Sequence, residues 1–409
     1  MRHLAVVVAA AFVLTSPARA QEQLERALLR MPAVVGRPTE YQRKGKESIY
    51  RVARHFGVSA NAIHNASEGA LSAGDEKLSI PTQHIAPVPS ANGIVINLSE
   101  RNLYFYAADR PTHVYPIAIG MRGWETPTGD FRIANKRKNP TWFPPRWALQ
   151  EEPVPPGPDN PLGDRWMGLS APGYGIHATN APASVGRYAS HGCMRMYPEQ
   201  VHELYSLASV GTPVKIIYER AVVGYRPEDG IVYLAYYPDP YEDGDVTPED
   251  VRELLKDYGL GNVADLDLVA GILKRTSGVP TPVVGSHIAV AVNGKSVTFA
   301  LAPMPAGSDW LVPAGPLAAA LGADTQTGPG MNYVVIRRGT ERVFLSPGNR
   351  EALINGELMQ LATGPQLAAG YPLVPIRATV EALGASLGWD EERQMLLVWD
   401  GLEKTMGAL

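Results

Sequence analysis

Apolar residues along this chain occur mostly in short blocks of strand length, and only a few stretches have helical spacing. Such blocks recur through residues 93–218, separated by polar and turn-forming residues. The polar stretch 97–102 predicts a hairpin between the first two blocks. One helix is predicted after Pro198, because proline is favoured at the first helical position. The pattern predicts a mainly β domain over residues 93–218, β-sandwich-like with a packed helix.

A smaller unit with a different pattern precedes this domain, over residues 39–83. Ile49, Val52, Ala53 and Phe56 fall on one face of a predicted helix over residues 48–56. A second helix is expected over residues 60–65, with a short strand before the pair and another after it. The unit is therefore predicted to be a βααβ domain. Residues 84–92, rich in proline and alanine, predict a linker to the larger domain.

The chain beyond residue 218 divides into an adapter and a repeat. Residues 219–283 predict an adapter region with two helices, near residues 248–258 and 266–275, and Thr247 and Asp250 occupy the positions of a capping box. Residues 284–400 repeat themselves at an offset of 62 residues, as from Asn293 to Asn355. The other pairs at this offset are Gly294/Gly356, Pro313/Pro375 and Gly322/Gly384. Each copy reads strand, turn, strand, helix, which predicts an α+β duplicated domain.

Composition narrows the classes of protein to consider. The 409 residues are enough for several domains, and 36 prolines with 40 glycines argue against an all-helical bundle. The formal net charge is −4 without long runs of one sign, so nucleic acid is not an expected partner. Residues 1–20 combine Arg2, a short apolar stretch and small residues before Gln21. They predict a signal peptide cleaved after Ala20, and hence export to the periplasm or cell wall.

The candidate chemistry lies around Cys193, which is the only cysteine of the chain and so has no partner for an internal disulfide. His191 precedes it by two residues, and positions two apart share one face of a regular strand. Gly192 between them allows close backbone approach to a ligand. His177 lies on the preceding predicted strand, and a returning loop can bring it over the thiol. Imidazoles and backbone N–H groups are what activate a thiol as a nucleophile.

These residues resemble the catalytic motif of the L,D-transpeptidases. That motif is a histidine, a spacer and then Ser/Thr-His-Gly-Cys followed two residues later by Arg or Asn, as in His177, Ser190, His191, Gly192, Cys193 and Arg195. The similarity extends over residues 93–218 and includes the Thr-Pro-Thr-Gly-Asp-Phe turn that starts at Thr126.

The resemblance implies a role for each residue of the motif. Cys193 would attack a peptidoglycan stem peptide before its terminal D-Ala, form a thioester and pass the acyl group to an amine as a 3-3 cross-link. His177 would be the general base and then the acid. Backbone N–H groups of Gly192 and Cys193, with His191, would stabilise the oxyanion. Ser190 and Arg195 would orient the site and contact a substrate carboxylate. No cofactor and no metal is implied.

Two further resemblances concern the flanking domains. The βααβ unit resembles a LysM domain, which implies binding to the glycan strands of peptidoglycan. The repeat resembles the copper-amine-oxidase N-terminal-like, or stalk, domain, and no cluster of histidine, cysteine and carboxylate suggests a copper site there. The LysM-like unit is expected either to concentrate wall substrate around the catalytic domain or to pack against its sheet.

Other readings of the same residues remain open. Water as the acceptor would make the protein an L,D-carboxypeptidase, and a protein lysine would make it an enzyme that attaches envelope proteins. A further alternative is that the protein is not an enzyme and serves as a non-catalytic scaffold that binds the cell wall. Residues 136–175 form a long proline-rich segment and are predicted to be a lid with aromatic walls from Trp142, Phe143, Trp147 and Trp166.

Overall fold

The computed structural model describes residues 17–67, 77–89, 91–145 and 152–400. Within those ranges no helix combines the length and the apolar character needed to cross a membrane. The α-helices there are α1 (Pro17–Leu29), α2 (Ile49–Phe56), α3 (Ala60–Ala66), α4 (Pro198–Leu207), α5 (Pro248–Lys256), α6 (Leu266–Arg275), α7 (Ala314–Ala320) and α8 (Ile376–Ala382).

The strands fall into groups that match the pattern of apolar blocks. Up to residue 217 they are β1 (Ala33–Val35), β2 (Thr39–Gln42), β3 (Lys77–Ile80), β4 (His84–Ala86), β5 (Gly93–Asn97), β6 (Asn102–Ala107), β7 (Arg110–Pro116), β8 (Ile119–Gly120), β9 (Gly129–Lys138), β10 (Arg165–Leu169), β11 (Gly175–His177), β12 (Tyr188–Ser190), β13 (Met194–Arg195) and β14 (Pro213–Ile217). Beyond it they are β15 (Ala221–Arg226), β16 (Ile231–Tyr236), β17 (Thr281–Val284), β18 (Ala289–Val292), β19 (Lys295–Val297), β20 (Met304–Ala306), β21 (Asp309–Pro313), β22 (Asp324–Thr327), β23 (Val334–Arg338), β24 (Glu341–Leu345), β25 (Glu351–Ile354), β26 (Glu357–Gln360), β27 (Gln366–Ala368), β28 (Tyr371–Pro375), β29 (Ala385–Asp390) and β30 (Met395–Asp400).

The small N-terminal unit has the predicted strand–helix–helix–strand order. Strands β2 and β3 pair antiparallel, and α2 and α3 begin at serine caps, Ser48 and Ser59, whose side chains accept a backbone N–H. The apolar face of α2 buries Val52 and Ala53 against Ile63 of α3 and the second strand. Its identity as a LysM domain, and its affinity for glycan, stay predictions.

The segment predicted to be a linker differs in the structure. Residues 84–86 form β4, which pairs antiparallel with β1, and β1 pairs in parallel with β15 of the adapter region. The sheet runs β17-β16-β15-β1-β4. Ile85 and Ala86 are buried in it, so apolar residues between prolines form a strand here because the adapter supplies an edge to pair with. The βααβ unit is thus inserted between two strands of the adapter domain.

The adapter region contains the two predicted helices, α5 and α6. Thr247 and Asp250 form the predicted capping box. The adapter core also includes Ala20, Leu24 and Leu28 of α1, from the far end of the chain. Residues 17–20, the end of the predicted signal peptide, form the first turn of α1, while residues 1–16 lie outside the described residues. The signal peptide remains a prediction.

The mainly β domain is one mixed eight-stranded sheet in the order β13-β11-β10-β9-β14-β5-β6-β7, with β8 and β12 as a separate two-stranded ribbon. The strands of the expected sandwich-like domain are all connected into this one sheet. Residues from both halves of the sheet and from α4 pack into one hydrophobic core. Strands β5 and β6 form the predicted hairpin. The predicted loop 136–175 is shorter than expected, because the long strand β9 runs to Lys138 and pairs with β10 inside that range.

In the C-terminal domain the two copies of the repeat exchange strands, so that each sheet contains strands of both copies. Pro313 and Pro375 each precede a helix, α7 and α8, at equivalent places in the two copies. The first strands of copy one pair with the last strands of copy two in the sheet β19-β18-β30-β29. The reciprocal exchange occurs in the sheet β22-β23-β24-β25-β26, and the middle hairpins meet in β20-β21-β28-β27. The two copies therefore fold as one interlocked body.

Candidate active site

A tight turn between β12 and β13 presents Cys193. The turn departs from the regular strand that the sequence suggested, because Gly192 has φ +106°, a conformation that favours glycine. A Cβ atom at this position would lie 2.5 Å from Cε1 of Tyr174. His191 and Cys193 therefore do not share one face through a regular pleat, and the geometry of the turn decides where each points.

Ser190 closes this turn from inside. Its hydroxyl donates to the carbonyl of Cys193 at 2.6 Å and accepts the N–H of Gly192 at 3.1 Å. The side chain is 2% exposed. The predicted contact of Ser190 with a substrate carboxylate therefore does not fit its buried position, and the residue orients the turn instead.

The carbonyl of Gly192 is held from the other side by Thr126. The Thr126 hydroxyl donates to Gly192 O at 2.9 Å and accepts the N–H of Gly120 at 3.0 Å. The Thr-Pro-Thr-Gly-Asp-Phe turn noted in the sequence thus supports the turn that holds Cys193. Gly192 donates its N–H to the Ser190 hydroxyl, and its role as an oxyanion donor stays a prediction.

The Cys193 thiol lies under the turn that joins β10 and β11. Its Sγ is 3.4 Å from Gly173 O, which accepts the thiol hydrogen, and the Gly175 N–H points at the sulfur. Burial raises the pKa of Cys193 above its ordinary value, while the Gly175 N–H and the charge of Arg195 act in the opposite direction. The backbone N–H of Cys193 has no hydrogen-bond partner among the described residues, so it is free to stabilise an oxyanion.

His177 is buried on the strand next to the turn. Strand β11 pairs in parallel with β13, so His177 lies opposite Arg195 and Ile176 opposite Met194. Its ring stacks on Trp166 at 5.8 Å between centroids, and its Nδ1 hydrogen-bonds to Ala178 O at 2.5 Å. Within the described residues no hydrogen bond joins this imidazole to the thiol. Burial first, and then the charge of Arg195, lower the pKa of His177 to about 4, so the ring is neutral near pH 7.

The positive charge of Arg195 acts on the other titratable groups of the site. This charge contributes to the lowered pKa of His177 and of His191, and it opposes the rise that burial causes in the pKa of Cys193. Burial lowers the pKa of Arg195 itself, and its buried Nε has no hydrogen-bond partner among the described residues. Its backbone is fixed by two hydrogen bonds with Ala118, of 2.8 and 3.0 Å. Arg195 is therefore a partly desolvated cation on a backbone that is held next to Ala118.

His191 lies at the exposed rim of the site. Its ring meets the edge of Trp124 at 4.8 Å between centroids and an interplanar angle of 79°. Desolvation and the charge of Arg195 lower the pKa of His191 below its ordinary value. The ring therefore stays in contact with solvent and with Trp124 at the edge of the site.

Three residues that support the site lie outside the predicted set. Trp166 was predicted to be a wall of the lid, and the structure places its ring against that of His177. Thr126 was part of a recognised turn without an assigned role. Tyr241 lies in the adapter region, and its hydroxyl reaches the backbone of Gly120 and Thr126. No local signal in the sequence points to Tyr241, because its contact depends on the path of the chain after β16.

The segment between β9 and β10 is organised around buried Asn160. Its side-chain amide donates to the carbonyls of Pro140, Val154 and Pro155 at 2.8 to 3.1 Å, and its oxygen accepts the Leu162 N–H. Phe143 is 65% exposed, and Trp147 lies outside the described residues. The function of this segment as a lid stays a prediction.

Among the described residues no group of three or more histidine, cysteine, aspartate and glutamate side chains is arranged to hold a metal ion. The groups that come together around the turn of Cys193 are a thiol, two imidazoles, a guanidinium and backbone N–H groups. This set suits acyl transfer through sulfur.

Comparison with known proteins agrees with this geometry. The family model of the L,D-transpeptidase catalytic domain matches residues 91–216, and that of the copper amine oxidase N-terminal domain matches residues 291–398. The "Probable L,D-transpeptidase ErfK/SrfK" of Escherichia coli is 32% identical over 251 residues, which cover 56% of this chain and 80% of that protein. The "Probable L,D-transpeptidase YcfS" of the same organism is 30% identical over 256 residues, which cover 58% of this chain and 80% of that protein.

Among solved structures, the catalytic domain of an L,D-transpeptidase from E. faecium is 24% identical, with a TM-score of 0.27. The match covers 32% of this chain and 98% of that domain. The assignment rests on the two relatives in sequence and on the catalytic-domain match. By these relatives, the chain belongs to the L,D-transpeptidase family.

Proposed function

We propose that this protein is a cysteine-dependent L,D-transpeptidase that acts on the stem peptides of peptidoglycan, with Cys193 as the nucleophile. The observation that carries the proposal is the turn 190–193. It presents the thiol and an unpartnered Cys193 N–H together, next to the strand of a buried neutral imidazole.

In the first step the thiol proton moves to His177 as Sγ attacks the carbonyl of the third, diaminopimelate-type residue. The carbonyl oxygen becomes an oxyanion, which the Cys193 N–H stabilises with help from His191. The bond to the terminal D-Ala then breaks, and His177 returns its proton to the departing amine. Free D-Ala and a thioester on Cys193 are the products.

In the second step an amine of another stem peptide attacks the thioester. The amine gives up a proton to His177, the carbon–sulfur bond breaks and the proton returns to the sulfur. The product is an amide, a 3-3 cross-link, and the enzyme is restored. Hydrolysis would follow the same course with water in place of the amine, so the acceptor alone separates a transpeptidase from a carboxypeptidase.

The neutral state of His177 defines how this chemistry starts. A base with a pKa of about 4 forms no stable ion pair with a thiol whose pKa is raised, so proton transfer accompanies the attack on the carbonyl. Trp166 and the carbonyl of Ala178 hold the ring in one orientation. We assign Arg195 to the substrate carboxylate, since its charge acts on both imidazoles and on the thiol.

We place the protein in the cell envelope, where peptidoglycan is the partner and substrate. Family membership supports this, and the predicted signal peptide would deliver the chain there. The βααβ unit, if it binds glycan as LysM domains do, would hold the glycan strand beside the domain that modifies the stem.

A single incubation tests the function. Purified disaccharide-tetrapeptide is mixed with the protein, and the products are measured by mass spectrometry. Loss of D-Ala with formation of dimers supports transpeptidation, and loss of D-Ala without dimers identifies a carboxypeptidase. Tetrapeptide that is joined to an added envelope protein identifies the attaching enzyme.

Cys193→Ala is the control for this incubation. The variant should lose all turnover and keep a nearly unchanged melting temperature, because the thiol supplies the covalent step. If the wild type leaves the tetrapeptide intact and only binds sacculi, the protein is a wall-binding scaffold.

A further inference from the structure

Tyr241 connects the adapter domain to the nucleophile turn. It follows β16, outside the segment 91–216 that matches the catalytic-domain family. Its hydroxyl donates to Gly120 O at 2.9 Å and accepts the Thr126 N–H at 3.3 Å. Both backbone groups belong to residues 120–126, the supporting loop, which begins at the end of β8 and is bonded to Gly192 through Thr126.

From Thr126 the connection continues to the reacting residue. The Thr126 hydroxyl donates to Gly192 O, Gly192 N–H donates to the Ser190 hydroxyl, and this hydroxyl donates to Cys193 O. Each link is a hydrogen bond of 2.6 to 3.1 Å. Thr126, Gly192 and Ser190 are all buried, so water cannot easily replace a lost partner.

The position of Tyr241 is itself well determined. Its ring stacks on Tyr218 at 5.3 Å between centroids and 15° between planes. Tyr218 donates to Asp239, and the nearly buried pair of Asp239 and Arg220 anchors this segment to the adapter sheet. Glu242 next to Tyr241 forms an ion pair with Arg122 of the supporting loop. Burial raises the pKa of Tyr241, so its hydroxyl stays protonated and able to donate.

We propose that Tyr241 is a positioning residue for acyl transfer, through which the adapter domain fixes the orientation of the Cys193 N–H toward the oxyanion. The inference rests on the proposed function of Cys193 as the nucleophile. The hydroxyl holds Gly120 and Thr126 together, Thr126 holds the Gly192 carbonyl, and the Gly192–Cys193 peptide plane carries the N–H in question. A shift of that plane would weaken oxyanion stabilisation without changing the thiol's surroundings.

The test compares two reactions of the same thiol in the full-length protein. Acylation by 4-nitrophenyl acetate passes through an oxyanion, whereas alkylation by iodoacetamide does not. Tyr241→Phe removes the hydroxyl and keeps the stacked ring. We expect it to slow acylation and D-Ala release about fivefold to tenfold through kcat, as for the loss of one hydrogen bond, with KM unchanged. The rate of alkylation and its dependence on pH should stay as in the wild type.

Matched variants separate positioning from general loosening. Tyr233→Phe removes another buried adapter hydroxyl, one bonded to Asp229 and Arg226 instead of the supporting loop, and should leave acylation unchanged. Thr126→Val should reproduce the slow acylation, and Thr126→Ser, which keeps the hydroxyl, should restore it. Combining Tyr241→Phe with Thr126→Val should add little to Thr126→Val alone, because both break one connection.

Several outcomes overturn the proposal. They are unchanged acylation in Tyr241→Phe, an equal fall of acylation and alkylation, and fully additive effects in the double variant. A wild type that is acylated by the ester but releases no D-Ala contradicts the proposed function alone, and the effect of Tyr241 on ester acylation is still measured.

Discussion

The imidazole of His177 is 4% exposed, and burial changes what pH does to this site. A general base must be neutral, and a pKa of about 4 keeps it neutral at every pH above that value. The acidic limb of kcat/KM should therefore lie near pH 4 and not near the ordinary 6.5 of a histidine.

Alkylation of Cys193 should rise steadily with pH toward the raised pKa of the thiol, since the thiolate is the reacting form. Both profiles are measured by stopped assays between pH 3.5 and 10. A plateau of alkylation below pH 7, together with an acidic limb near 6.5, would mean a thiolate–imidazolium pair and contradict this account.

Ser190 provides a second test at the level of one side chain. Ser190→Ala leaves the Gly192 N–H and the Cys193 carbonyl without their buried partner, so the free energy of unfolding should fall by about 2 kcal/mol. The rate of D-Ala release should also fall, because the turn loses the two hydrogen bonds that the Ser190 hydroxyl makes with Gly192 and Cys193.

Ser184→Ala is the matched control for Ser190→Ala. The Ser184 hydroxyl also donates to a backbone carbonyl, that of Ala181, but Ser184 is only half-buried and this hydrogen bond is exposed to solvent. Its loss should change stability by less than about 0.5 kcal/mol. Urea unfolding measures both variants, and equal effects would refute the role given to Ser190.

At the level of secondary-structure elements, β10 shields the His177 ring from water. Trp166 covers the His177 ring, and its indole also packs so closely on Gly175 that a Cβ there would lie 2.5 Å from Cη2. Trp166→Leu should admit water to the imidazole, which reduces the desolvation that depresses its pKa. We expect the acidic limb of kcat/KM to move upward from about pH 4.

As a control, Trp142→Leu removes a half-buried indole from the segment between β9 and β10, where it bridges to Val154. It should leave the acidic limb in place. An unmoved limb in Trp166→Leu would show that other groups keep His177 neutral.

Across the whole molecule, the βααβ unit contacts the loop that leads to the nucleophile. Tyr50 accepts a hydrogen bond from Arg187, Asn61 donates to Gly186 O, and Arg54 forms a bidentate pair with Glu199 of α4. This contact favours the packing role over the tethered, substrate-concentrating role. A truncation near Ser90 would also remove α1, β1 and β4 from the adapter, so it would not isolate the unit.

A cleaner excision follows from the pairing of Val35 with His84. Replacing residues 36–83 with an Asn-Gly turn should keep the β1–β4 hairpin and remove only the unit. We expect D-Ala release from soluble muropeptide to fall by a few fold and co-sedimentation with sacculi to decrease. Unchanged release from the soluble substrate would contradict the packing role.

Arg54→Ala with Asn61→Ala separates docking from glycan binding. The double variant loosens the contact with the catalytic domain and leaves the unit folded. Release from soluble substrate should fall by about twofold, since the Arg54–Glu199 pair is half exposed and such pairs contribute little. Co-sedimentation should stay as in the wild type if glycan holds the protein on the wall, and its loss would mean that the contact itself is needed.

Local patterns were sufficient for the features that depend on neighbouring residues. The helices α2 and α3, the capping box of Thr247 and Asp250, and the order of elements in both C-terminal copies follow from spacing and turn chemistry within about twenty residues. The motif around Cys193 and the family it indicates are also local, because a few residue types at fixed spacing carry them.

Tertiary contacts decided the rest. Strand β4 forms because strands of the adapter region, distant in sequence, complete its sheet. The turn at position 192 requires glycine because Tyr174 leaves no room there for a side chain. The His177 ring is neutral near pH 7 because burial among Trp166 and the surrounding strands lowers its pKa. Tyr241 reaches the loop beside Cys193 from a segment far along the chain. Desolvation and pairing between distant segments depend on where the folded chain places them, so no local pattern of residues contains them.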